Sequence, residues 1–71
     1  EDTDRLARDI DEARSLLERT EGMELVVPYL RTRLSDTLAR AEQTPAGSAD
    51  MESIMSTLED LMNQVRENAG L

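Results

Sequence analysis

Carboxylates and guanidinium groups carry almost all the polar chemistry in this 71-residue sequence: sixteen Asp and Glu, and eight basic residues that are all Arg. Cys, His and Lys are absent. Thiolates, imidazole bases and Schiff-base amines are therefore excluded, and with them the usual nucleophiles and proton shuttles. What remains for acid–base work is carboxylates in close sequence: Asp9, Asp11 and Glu12, and Glu59 with Asp60. Such chemistry needs groups converging from different elements into one pocket. These fall instead on the polar stripes of helical segments, the pattern of a solvated face. Asp2-Thr3-Asp4 opens like a calcium loop, but the later glycine and bidentate Glu of such a loop do not follow. With neither Cys nor His, a zinc site is excluded too. The expectation is a chain with no catalytic residue, no cofactor and no metal, which can still be an appended domain of a larger enzyme.

The remaining side chains of interest suit binding. Tyr29 is the sole aromatic residue, and two readings stay open for it. It is either a core residue whose hydroxyl reaches the surface or a rigid anchor at an interface. Arg31 and Arg33 lie two apart and point to different sides of a helix, so they make no compact phosphate clamp; one of them can pair with a partner's acidic face. Arg40 can complement the carbonyl end of its helix. The net charge of −8 argues against nucleic acid and anionic membranes as partners. No apolar run approaches the ~20 residues of a membrane span, and no signal-peptide core is present. Absence of Cys fits a cytoplasmic protein, and Arg without Lys fits a GC-rich genome. The sequence starts at Glu1 without an initiator Met, which reads as an excised piece of a longer protein.

These side chains have to be positioned by helices. The spacing predicts a first helix over about 3–20, where Leu6, Ile10, Ala13 and Leu17 recur four-three-four and Leu16 widens the stripe. Asp2, Thr3 and Asp4 supply caps and negative charge at its start, and Gly22 a stop. The pairs Asp4–Arg8, Arg5–Asp9, Arg8–Glu12 and Arg14–Glu18 are spaced to interact along it. A second helix is expected over about 25–43, with Val27, Leu30, Leu34, Leu38 and Ala41 as its apolar face, flanked by Leu25, Val26 and Tyr29. Pro28 fits its first turn, where the missing N–H has no partner to lose, or else kinks a longer helix. Residues 44–48, Thr-Pro-Ala-Gly-Ser, form the linker, either a tight antiparallel connection or a flexible tether. The third helix, over about 49–68, is the clearest. Met51, Ile54, Met55, Leu58, Leu61, Met62 and Val65 line one face, opposite an acidic one. Ser48 or Asp50 can cap its start, and Gly70-Leu71 has the composition of a left-handed stop with a trailing apolar contact.

The expected fold is all-α: three amphipathic helices in one domain, 1–71, forming an antiparallel bundle that a partner chain or a second copy can complete. The middle segment, residues 23–43, is neutral while each flanking segment carries −4, so it is the element to sit between them. Leu17, Leu30, Leu34, Leu58, Leu61 and Val65 are expected inside, and Asp9, Glu12, Glu52, Asp60 and Glu67 outside. Only twenty larger apolar side chains are available and none is Phe or Trp, so the core must be aliphatic and adaptable. Without a disulfide or metal, folding coupled to association is expected.

Two amphipathic helices, a Pro/Gly/Ser-containing tether and a final acidic amphipathic helix resemble the docking domains at the ends of modular polyketide synthase subunits. The resemblance is architectural, covers the whole chain and matches no diagnostic motif. It implies a bundle formed by Leu6, Ile10 and Leu17 with Leu30, Leu34 and Leu38. It further implies a last helix that meets a neighbouring subunit through Ile54, Leu58, Leu61 and Val65, with Glu52, Glu59 and Asp60 selecting a basic partner. The expected function is thus non-catalytic protein–protein interaction. The expected partner surface is Met51, Ile54, Met55, Leu58, Glu59, Asp60, Leu61, Met62, Val65 and Tyr29, facing a helical partner with a basic rim. Two alternatives stand beside it: a structural homo-oligomerisation domain, and a small acidic regulator that occludes a basic protein.

Overall fold

The strict three–four spacing of the last apolar stripe forms helix α3 (Met51–Ala69) in the computed structural model, which describes residues 2–71. Two helices precede it, α1 (Asp2–Arg19) and α2 (Pro28–Gln43). The fold is all-α, with no strand among the described residues.

Side-chain contacts fix the direction of each helix. Arg14 of α1 pairs with Glu42 near the end of α2, and Arg31 near the start of α2 donates to the Leu17 carbonyl near the end of α1. Those two helices therefore run antiparallel. The Val27 amide, one residue before α2, donates to Asn68 Oδ1 near the end of α3 at 2.8 Å, so α2 and α3 are antiparallel too. Arg5 meets Glu59, and Glu12 meets Arg66, which sets α1 and α3 parallel. The result is an up-down-up bundle in which every helix packs on both others. It measures 37 × 18 × 16 Å, two helix diameters thick.

Local chemistry sets the boundaries. Pro28 takes the first turn of α2, with Val27 as the cap residue, so the helix begins at Pro28 and not at Leu25. Proline disfavours helical backbone in the residue before it, and that residue here is extended (φ −58°, ψ 122°). The stretch between α2 and α3 is a tight turn rather than a tether. Thr44 Oγ1 donates to the Arg40 carbonyl at 2.8 Å, Ser48 N–H to the Pro45 carbonyl at 3.1 Å, and Met51 N–H to the Ser48 carbonyl at 3.2 Å. The expected side-chain caps of α3 do not form: Asp50 holds the cap position without a capping bond, and Ser48 Oγ is buried without a partner. The capping role expected of Asp2 lies outside the described side chains. At the far end Gly70 is left-handed (φ 73°); its N–H donates to the Glu67 carbonyl and that of Leu71 to the Arg66 carbonyl, a Schellman stop. Leu71 itself stays half exposed.

The core is aliphatic and methionine-filled. Leu34, Met55, Leu58, Met62, Val26 and Val65 are its largest fully buried apolar members. The seven stripe residues of α3 all lie in it. On α1 the buried seam is Leu6, Asp9, Ala13 and Leu16, continued by Thr20 just past its end. The buried face is therefore rotated by roughly 50° from the expected stripe through Ile10 and Leu17, leaving those two half-buried at its edge. Leu30 is likewise half-buried, and Thr37 takes a core position on α2 that sequence polarity concealed.

Candidate functional site

The rotation of α1 produces an unusual chemical arrangement in the bundle. Asp9 occupies a seam position meant for an apolar side chain and is only 5% exposed, against the expectation that it is solvated. One turn earlier Arg5 reaches across to α3. Its Nε and Nη2 donate to the two carboxylate oxygens of Glu59 at 2.7 and 2.6 Å, a bidentate pair. Its Nη1 donates to Glu52 Oε1 at 3.3 Å. The Asp9 and Glu59 carboxyls are close enough to act on each other, and Asp9 Oδ2 is buried with no hydrogen-bond partner. Two facing carboxylates cannot hydrogen-bond without a proton between them.

The electrostatics follow that geometry. Burial is the main force pushing the Asp9 carboxyl up from 3.8 to about 7, helped by the hydrogen bond to Glu59 and by the negative charges of Glu59 and Glu12; Arg5 opposes the shift. Glu59 moves the other way, well below the usual carboxylate range. The Arg5 hydrogen bonds are the largest cause, and the bond from Asp9 adds to it. The pair has separated into a proton holder and a permanent anion. Asp9 is covered in the seam, while Glu59, its side chain 32% exposed, is already held by Arg5, so the pair sits where two helices are joined.

The other guanidinium groups are used for construction. Arg31 donates from Nη2 to the Leu17 carbonyl at 2.8 Å and from Nε to Thr20 Oγ1 at 3.1 Å. It closes the carbonyl end of α1, the negative end of that helix dipole, rather than meeting a partner's acids. Arg14 joins α1 to α2 through Glu42, and Arg66 joins α3 to α1 through Glu12 at 3.2 Å. Of the pairs expected along α1, none replaces these links; the ion pairs run mainly between helices.

The residues expected to face a partner divide into two groups. Met51, Ile54, Met55, Leu58, Leu61, Met62 and Val65 are buried by α1 and α2 of the same chain, so a partner reaches them only if the bundle opens. Glu59 is held by Arg5, and Glu52 shares the same guanidinium. Asp60 is exposed, and Tyr29 is 64% exposed with the Arg33 guanidinium 5.9 Å from its ring centroid. Near Tyr29 in sequence, Leu25 (78% exposed) and Val27 also face solvent. The Val27–Asn68 bond brings the C-terminal turn of α3, with exposed Leu71, to the same end of the bundle. Leu25 and Leu71 were missed as surface features. For Leu25 the signal available was its place in three consecutive large apolar residues before Pro28, of which only Val26 turns into the core.

An open groove of about 430 Å³ runs beside Leu17, Pro28, Arg31, Thr32, Ser35 and Asp36. Its single cation is the Arg31 already committed to α1. Among the described residues no set of three His, Cys, Asp or Glu side chains is arranged to hold a metal ion, and no helix is long and apolar enough to cross a membrane. No protein-family model matches the chain, and comparison with curated proteins and with solved structures gives no match.

Proposed function

We propose that this chain is a non-catalytic protein–protein interaction module, a small acidic helical bundle that docks onto another protein. The observation that carries the reading is the exposed apolar end: Leu25, Val27, Tyr29 and Leu71 stay in water although the bundle has closed its core. Large apolar side chains grouped on a small domain gain by being covered, and a rigid aromatic among them supplies binding area at low entropy. The sharpest form of the reading is a terminal docking domain of a modular polyketide synthase. Three-helix architecture and Arg-only composition support that form. Because α3 packs in cis, this reading takes the Tyr29 end rather than α3 as the docking surface. Self-association through the same end is the second reading.

Photo-crosslinking in the native cellular setting tests this. A crosslinking residue at position 29 is expected to give one discrete adduct with a different protein, and Leu25→Ser with Leu71→Ser to remove it while helicity is kept. An adduct of twice the chain's own mass would establish the self-association reading instead. Adducts from position 60 with none from position 29 would move the surface to the acidic face of α3 and overturn the apolar-end reading.

A further inference from the structure

The buried carboxyl at position 9 goes unused in any docking role, and its surroundings specify what it does. A charged Asp9 would be a carboxylate withdrawn from water, facing a second carboxylate, with one oxygen unsatisfied. Isolated buried charges are among the most unfavourable arrangements in a protein, and such groups neutralise instead. The neighbouring cation does not resolve this. Arg5 spends Nε and Nη2 on Glu59 and Nη1 on Glu52. On α1 itself Arg5 favours the charged form of Asp9 and Glu12 disfavours it. From α3, Glu59 disfavours it. No charged group of α2 is among the main influences on Asp9. Arg8 acts on Glu59, which keeps that partner anionic. A proton therefore belongs on Asp9, where it can be donated to Glu59.

We propose that Asp9 and Glu59 form a proton-held latch across the α1–α3 seam: one proton satisfies the buried Asp9 carboxyl, and its loss sets two facing carboxylates against each other and loosens the seam. The direction of the pH dependence follows from linkage. In the fold Asp9 holds its proton up to about pH 7, whereas in the unfolded chain it releases it near 3.8. Between those values the folded state binds more protons, so stability falls as pH rises through the window and levels off above it. The folding equilibrium constant changes by up to tenfold per pH unit for one proton. Glu59 works in a separate window. Its folded value is lowered, so its contribution is complete above 4.5 and is lost as pH falls below that. The two slopes oppose each other, which places a stability maximum in mild acid.

Two measurements on the full chain test the latch. The Asp9 carboxyl carbon, followed by NMR through a pH titration of the wild type, is expected to titrate well above the ordinary Asp range; titration at or below 4 would overturn the proposal. Urea unfolding at a series of pH values from 4 to 8.5 is then compared among wild type, Asp9→Asn and Asp9→Leu. The Asn amide donates to Glu59 permanently, and Leu removes the buried charge. Both variants are expected to lose the downward slope between pH 4 and 7 and to exceed wild type in stability at pH 8. If both are less stable than wild type at pH 8 with the slope unchanged, Asp9 is a charged structural residue and the latch is wrong. Should either variant fail to fold, the wild-type titration decides alone.

Discussion

At the scale of single residues, Glu59 and Asp60 look equivalent in sequence and are opposites in the fold. They are adjacent acids on the polar side of one amphipathic helix, and both were expected to face a partner. The helix turns about 100° between neighbours, which places Glu59 at the α1 seam under Arg5 and leaves Asp60 in water. Charge reversal separates them. Glu59→Lys confronts Arg5 with a like charge and removes a bidentate pair, so stability should fall measurably. For a domain of this size each 1 kcal/mol lost lowers the thermal midpoint by roughly 4–8 °C. Asp60→Lys should leave the midpoint within about 0.5 kcal/mol of wild type. Equal effects of the two reversals would mean that the Arg5–Glu59 pair does not hold the seam in solution.

At the scale of elements, α1 shows how a helix can be legible while its buried face is not. Two stripes run through it, Leu6–Ile10–Ala13–Leu17 and Leu6–Asp9–Ala13–Leu16–Thr20, sharing Leu6 and Ala13. Polarity favours the first, and the structure buries the second. The choice is made by groups far away in sequence: Arg5 must reach Glu59, and Thr20 must receive Arg31. No local window contains those partners. In α3 no such competition exists, because its alternating spacing points every large apolar residue one way, and its stripe could be read directly. Likewise the sequence marks Leu25 and Tyr29 as apolar but holds no information on whether anything covers them. The seam register is open to measurement. Leu16→Ala removes a side chain that is 4% exposed and should cost about 2–5 kcal/mol. Leu17→Ala, at the half-buried edge, should cost clearly less. Urea unfolding of the two variants decides it, and the reverse order would restore the stripe through Leu17.

At the scale of the whole molecule, α3 is a wall of the core. It supplies seven of the fourteen buried apolar residues, and three of the interhelical ion pairs end on it. Without it, Leu34, Leu38 and Val26 would lose their cover, and α1 and α2 would be left as a hairpin of helices with 18 and 16 residues. Those lengths are only a little above the ~12–15 residues below which isolated helices are marginal in water, and most helical stability in proteins comes from packing an apolar face. Ending the chain at residue 47 should therefore abolish most of the helical circular dichroism of what remains, well beyond the share α3 itself contributes. A tethered α3 held in reserve for another subunit would behave differently: the first two helices would keep their signal. Adding a synthetic peptide of residues 48–71 to the truncated chain sharpens the comparison. If α3 is an integral wall, the two pieces should regain helicity together at high concentration and lose it on dilution, since the turn at residues 44–50 no longer supplies the local concentration. Retained helicity in residues 1–47 alone would show that the core does not depend on α3, and the bundle described here would not be the folded state in solution.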